Sequence, residues 1–246
     1  MWEEVITYYE QNKSYHTLKV KERGTALHIA ISNGEEVAVK KLVDAILQHH
    51  DDESGAIPLS LEMKNERGAT PLHIAAFRGF TSMCECIIGK NGQRKDLVRI
   101  ENDKGETPLF WAVQGQKLDT FVYLRQFFSN DVNIVMDNNG KTILHVAIRR
   151  ETFDLAHIIM HCYASSSISS MKDRNGVTPL KALASRTSAF ESGIHVLSWW
   201  KKILYHCFPV KLQNAKTRLK LIQRSIEKPG ELPMNWLSGY YDQGCQ

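Results

Sequence analysis

At 246 residues, 43% hydrophobic and with a net charge of +4, the chain has the size of one or two ordinary domains. No stretch approaches about 18 uninterrupted apolar residues, and the opening Met1-Trp2-Glu3-Glu4 is acidic where a signal peptide is basic and then apolar, so the sequence reads as cytoplasmic. Its five cysteines (Cys84, Cys86, Cys162, Cys207 and Cys245) are odd in number and unpatterned, which excludes a disulfide framework.

In chain order, Trp2, Val5, Ile6 and Tyr9 fall at helical spacing and predict a helix over Trp2 to Glu10. A Thr-led box then occurs five times: Thr25-Ala26-Leu27-His28-Ile29-Ala30, Thr70-Pro71-Leu72-His73-Ile74-Ala75-Ala76, Thr107-Pro108-Leu109-Phe110-Trp111-Ala112, Thr142-Ile143-Leu144-His145-Val146-Ala147 and Thr178-Pro179-Leu180-Lys181-Ala182-Leu183. The Thr-to-Thr steps of 45, 37, 35 and 36 residues make the repeat, not the domain, the unit of description. A Gly stands just ahead of each Thr, usually after a polar run such as Glu101-Asn102-Asp103-Lys104, and such clusters make tight turns. Thr is expected to cap a helix, with Pro71, Pro108 and Pro179 at its first position, where the missing N–H is no loss. The box Leu and Ala residues point inward, and the His after Leu is placed to hydrogen-bond the Thr and adjacent backbone. A second apolar-periodic helix follows each box, over Val37 to Leu47, Thr81 to Ile88, Leu118 to Phe128 and Phe153 to Tyr163.

Departures from the pattern are local. The long first step contains Gln48 to Gly55, read as an exposed loop, and Phe110 replaces the box His, so packing there is expected to be apolar. Ala164 to Ser170 reads as a small-residue loop, with covalent modification as the alternative to a plain connection. The fifth box has Lys181 for His, and Ser185 to Gly193 is inserted before a helix containing Trp199-Trp200.

Box and period together resemble ankyrin repeats over about residues 20 to 185. The resemblance implies an all-α ankyrin-repeat solenoid of helix-turn-helix units with short β-hairpin fingers. The implied layout is a partial N-terminal capping repeat (1–19), a repeat domain of about five repeats with the last irregular (20–207) and a basic helical tail (208–246). Gly176-Val177-Thr178-Pro179-Leu180, Ser188 to Gly193 and Trp199-Trp200-Lys201-Lys202-Ile203-Leu204-Tyr205-His206-Cys207 are similar to a segment of plant ankyrin-repeat membrane proteins of the accelerated-cell-death and PGG-domain type. Trp2-Glu3-Glu4-Val5 and Gly105-Glu106-Thr107-Pro108-Leu109-Phe110 fit that family too. This narrower resemblance implies a scaffold in defence or stress signalling, anchored in a membrane by later helices with the repeats in the cytosol.

The function implied is recognition of another protein on the extended concave surface that stacked repeats present. By the register of the resembled family, the residues just after the box alanines face that groove: Ser32 and Asn33, Phe77 and Arg78, Gln114, and Arg149 and Arg150. The finger tips join them, at Glu66 and Arg67, Asp103 and Lys104, and Asn138 and Asn139. Phe77 beside Arg78 has the make-up of an interface anchor, and Arg149-Arg150 offers a positive site for a carboxylate or phosphate. The bland alternative is that these arginines are solvated and Phe77 fills a gap between repeats.

Basic charge is concentrated late in the chain, with eight Lys or Arg against one acid between Lys201 and Lys228. Leu212, Ala215, Leu219, Ile222 and Ile226 form the seam of an amphipathic helix there. Three readings stand: it packs on the last repeat, it meets a calmodulin-like partner, or it makes a peripheral contact with an anionic membrane. Nucleic acid is a further alternative partner, although the basic residues lack interleaved aromatics. No catalytic pattern appears: there is no Gly-rich phosphate loop, H-E-x-x-H or G-x-S-x-G. His157 and His161, four apart on a helix, have zinc-compatible spacing without a third ligand, and Cys84-Glu85-Cys86 has one intervening residue rather than two. The sequence therefore implies no enzyme, no cofactor and no metal.

Overall fold

The computed structural model describes residues 2–50, 57–128, 135–163 and 167–186. The chain divides into two compact units, Met1–Ile143 and Leu144–Gln246. Residues 51–55 of the expected loop from Gln48 to Gly55, the expected Trp199-Trp200 helix, the amphipathic seam from Leu212 to Ile226, Cys207, Cys245 and the basic tail lie outside the described residues, while Gln48 itself closes a helix.

In the first unit, three short helices begin at boxes: α2 (Ala26–Asn33), α5 (Pro71–Arg78) and α7 (Pro108–Gln114). Each is followed by its partner, α3 (Glu36–Gln48), α6 (Thr81–Ile88) and α8 (Leu118–Arg125). The box helices pack on one another in the order α2, α5, α7, and the partner helices in the order α3, α6, α8, so the unit is built of two rows of helices. The opening helix α1 (Trp2–Gln11) packs on α3, which puts it in the partner row, and Lys41 reaches Glu3 across that contact at 3.1 Å. A single helical turn, α4 (Leu59–Glu62), packs on α5 within the long first step. The core between the rows is made of the box positions: Leu27, Leu72, Leu109, Ala30, Ala75 and Ala112 are all fully buried.

The second unit holds most of α9 (Ile143–Arg149), then α10 (Phe153–Cys162) and α11 (Pro179–Ala184), with a 3-10 turn over Ser167–Ser169 that buries Ile168. Leu144 is buried, but the fifth box differs from expectation: Leu180, whose counterparts in the other boxes are buried, is 70% exposed. The third partner helix is also shorter than its periodicity implied. It ends at Arg125, where Phe127 N–H and Phe128 N–H bond back to Leu124 O and Arg125 O and tighten the chain into a turn.

The polar turns before the boxes have a common construction. Asn65, Asn102, Asp137 and Asp173 each stand five residues before a box Thr, and each side-chain oxygen accepts two backbone N–H groups at 2.8–3.1 Å. The backbone closes the same turns, with Gly68, Gly105, Gly140 and Gly176 N–H donating to the carbonyl of the Asx residue three earlier. This is the local side-chain to backbone bonding that favours turns over regular structure. Val20 holds that place in the first finger, which closes instead as a two-residue antiparallel ladder, β1 (Lys19–Val20) with β2 (Gly24–Thr25). Neighbouring fingers touch: Asn138 N–H donates to Lys104 O, and the Asp103 and Asn138 side chains lie against Gly68 and Gly105.

Candidate functional site

Where a box carries a histidine, that ring ties its repeat to the next. Thr25 N–H donates to His28 Nδ1 at 3.1 Å and the Thr25 hydroxyl lies 2.8 Å from the same nitrogen. Because Nδ1 accepts, the ring proton is on Nε2, which donates to Ala69 O at 3.1 Å in the following finger. His73 repeats the arrangement with Thr70 and Glu106 O, and His145 Nε2 lies 2.9 Å from Val177 O. Burial pushes the His28 and His73 pKa values down from 6.5 to about 4, so both rings are neutral near pH 7. They are structural connectors. In the boxes lacking His, Thr107 and Thr178 accept the N–H of Phe110 and Lys181, and Phe110 is buried, as its apolar side chain requires.

The ends of α2, α5 and α7, which lie side by side, carry Ser32, Asn33, Phe77, Arg78 and Gln114 of the residues expected to bind. Phe77, at the end of α5, is 39% exposed, although it packs edge-on against Trp111 of α7 at 5.8 Å. Trp111 in turn meets His73 edge-on at 5.4 Å. The indole is held from behind: its Nε1–H donates to the buried Glu106 carboxylate at 2.8 Å, which also accepts from Asn102 Nδ2 at 2.8 Å and Gln114 Nε2 at 3.3 Å. Three donors satisfy a carboxylate that would otherwise be costly to bury. Sequence reasoning missed Trp111, whose box position is Ile in the two preceding repeats. The signal available was Glu106 itself, an acid directly before a box Thr that needs donors, with an indole N–H one turn later.

The close approach of α5 and α7 fixes one residue type. Gly115 follows α7 with φ in the ordinary helical range, yet a Cβ there would fall onto the carbonyl oxygen of Phe77. The left-handed residue that ends the third box helix is the next one, Gln116, with φ 60°, whereas the two preceding box helices end on Gly34 and Gly79 at φ 79° and 84°. Glu151 takes the same role after α9, with φ 56°.

The other expected residues fall as follows. Ser32 and Asn33 are exposed at the end of α2, and Ser32 O accepts from Arg78 Nη2 at 2.9 Å, so that guanidinium already braces two repeats and also lies over the Phe80 ring at 5.8 Å. Gln114 is half-buried, turned toward Glu106. Glu66, Arg67, Asp103, Lys104, Asn138 and Asn139 are all exposed at finger tips of the first unit. Arg149 and Arg150 are exposed at the end of α9 in the second unit.

Other chemistry finds little support among the described residues. His157 and His161 are exposed with ring centroids 4.9 Å apart, and no group of three or more His, Cys, Asp or Glu gathers where it could hold a metal. Burial raises both the Cys84 and the Cys86 pKa, the latter to about 11, so neither is a ready thiolate. No described helix is long and apolar enough to cross a membrane.

A family model for ankyrin repeats matches the chain three times, over residues 4–98, 56–133 and 72–169. Among curated proteins, the chain is similar to the ANK repeat-containing protein nipk-1 of Caenorhabditis elegans, at 28% identity over 149 residues, which is 55% of this chain and 24% of the relative. It is also similar to the B-cell lymphoma 3 protein homolog of Mus musculus, at 26% identity over 162 residues, or 66% of this chain and 33% of the relative. The chain thus spans a quarter to a third of the length of these relatives.

Proposed function

The chain belongs to the ankyrin-repeat family, whose modules generally mediate protein–protein interaction, and on that premise we propose that it is a protein-binding scaffold whose partner docks on the face formed by α2, α5, α7 and their fingers. The proposed contact residues are Ser32, Asn33, Glu66, Arg67, Phe77, Arg78, Asp103, Lys104, Gln114, Asn138 and Asn139, with Trp111 added. Arg149 and Arg150 are a separate proposed contact on the second unit. One observation carries the reading: a partly exposed Phe77 is braced by an indole whose orientation is fixed by a buried carboxylate. A rigid aromatic pair loses little freedom on binding, and a few such anchors dominate interface energy.

Affinity capture on the full chain followed by mass spectrometry identifies the partner, and the variant Phe77→Ala then tests the site. Truncating an anchor of this kind costs about 2 kcal/mol or more of binding, while its partial exposure keeps the thermal melt nearly unchanged. Full capture by both Phe77→Ala and Arg149→Ala/Arg150→Ala would move the site elsewhere, with the basic stretch from Lys201 to Lys228 as the next candidate for a calmodulin-like or nucleic-acid partner.

The finer reading places this scaffold in the cytosol, in plant defence or stress signalling near a membrane. Its support is the likeness of Gly176 to Leu180 and Trp199 to Cys207 to plant ankyrin-repeat membrane proteins. Expressed as it stands, the chain is expected in the supernatant after a carbonate wash, and resistant pelleting would contradict that placement.

A further inference from the structure

Charge is segregated between the two kinds of helix. The five box helices, α2, α5, α7, α9 and α11, contain no Asp or Glu at all. Carboxylates stand instead on the helices that follow the boxes and on α1, at Glu3, Glu4 and Glu10 of α1, Glu36 and Asp44 of α3, Glu85 of α6, Asp119 of α8 and Asp154 of α10, with Lys40, Lys41 and Arg125 among them. Glu106, the acid beside Trp111, is buried and its oxygens are taken up by three donors, so they are not offered to a ligand on this face.

Cations sit beside the aromatic pair. Arg78 follows Phe77 directly, exposed and with one N–H committed to Ser32 O. Lys117, just after α7, lays its stem against Gly79, the next residue after Arg78. Two finger tips add no net charge, since Glu66 neighbours Arg67 and Asp103 neighbours Lys104, while the first finger is net positive, with exposed Lys19, Lys21 and Arg23 against Glu22.

We infer that the segment bound on this face is an acidic peptide, with an apolar side chain seated against Phe77 and Trp111 and flanking Asp or Glu residues paired with Arg78 and Lys117. This rests on the docking face proposed above and adds the chemistry of its occupant. Charge complementarity selects a carboxylate, and two features favour peptide over nucleic acid. Phe77 and Trp111 meet edge-on, so they do not form the row of open ring faces on which successive bases stack. Glu66 and Asp103 at the tips would oppose a phosphate on every nucleotide but can be matched residue by residue by a peptide.

The test is selection from a random displayed-peptide library on the full chain, followed by fluorescence anisotropy with the synthesised winners. Selected peptides are expected to be richer in Asp and Glu than in Lys and Arg and to carry a large apolar residue. Lys117→Glu should weaken them by about tenfold or more, Phe77→Ala by a similar factor, and Lys117→Arg little, with unchanged thermal melts in all three. Winners that depend on Phe77 but are neutral or basic would leave the docking face standing and overturn the acidic occupant. Acidic winners indifferent to Lys117→Glu would overturn it as well, as would an oligothymidylate that binds the same face more tightly. If no winner depends on Phe77, the docking face itself falls and this inference falls with it.

Discussion

Mild acid should loosen this fold through two buried rings, and the size of the effect follows from their geometry. His28 and His73 are neutral, each accepting from its box Thr on Nδ1 and reaching the next finger with Nε2. Burial lowers their pKa values from 6.5 to about 4. Between those values an unfolded chain binds protons that the folded chain refuses, so stability rises with pH across the window. It is complete above about pH 6.5 and is lost progressively down to about pH 4, where it levels off. At pH 5 each ring has given up about 2 kcal/mol, and the pair about 4. That is a large part of the roughly 5–15 kcal/mol typical of a domain. His16, also lowered by burial, acts in the same direction. Urea titrations at pH 7.5, 6 and 5 measure the slope, and His73→Phe, the residue type the third repeat already uses at Phe110, separates the rings. The variant should be less stable at pH 7.5 by about 1–3 kcal/mol, since it strips a partner from buried polar groups of Thr70, yet lose about half as much on acidification. An equally steep fall in the variant, or no fall in the parent chain, would refute the assignment.

Other perturbations address packing and backbone. Leu72→Ala or Leu144→Ala removes a fully buried side chain and should cost about 2–5 kcal/mol in a thermal or urea melt. A loss below about 0.5 kcal/mol, ordinary for surface sites, would mean that the repeat register is wrong. Gly115→Ala drives a methyl onto the Phe77 carbonyl, with an expected cost of about 1–3 kcal/mol and a parallel loss of partner capture. Gln116→Gly should act oppositely, raising stability by about 0.5–1 kcal/mol because it relieves a left-handed conformation on a side-chain-bearing residue. A destabilised Gln116→Gly would show that the helix ends elsewhere.

Legibility followed locality. Box helices could be placed because Thr25, Thr70, Thr107 and Thr178 act on their own next turn, and Pro71, Pro108 and Pro179 set the first helical residue. The partner helices matched to within a few residues, since their apolar spacing reports a buried stripe. The left-handed cap after α7 was hidden, because Gly115 stands where a reader looks for it while a carbonyl from the neighbouring helix claims that glycine. Asn65, Asn102, Asp137 and Asp173 repeat at a readable interval, but polarity alone did not reveal that each one organises its finger. Trp111 was the largest omission at the candidate face, as its partnership with Phe77 and Glu106 arises only when α5 and α7 meet.

The fingers also bear on how slowly the folded molecule ages chemically. Asn139-Gly140 and Asn175-Gly176 are two of the chain's four Asn-Gly pairs, the dipeptide type prone to deamidate by attack of the glycine nitrogen on the preceding side-chain amide, which closes a succinimide. In the folded finger that nitrogen is engaged, donating to Asp137 O at 2.9 Å in one case and to Asp173 O at 2.8 Å in the other. The turn that positions a finger thereby engages the nucleophile, and each site is expected to react faster while its finger is open. Deamidation at Asn139 and Asn175, followed by peptide mass spectrometry over storage, becomes a cumulative record of how often each finger opens.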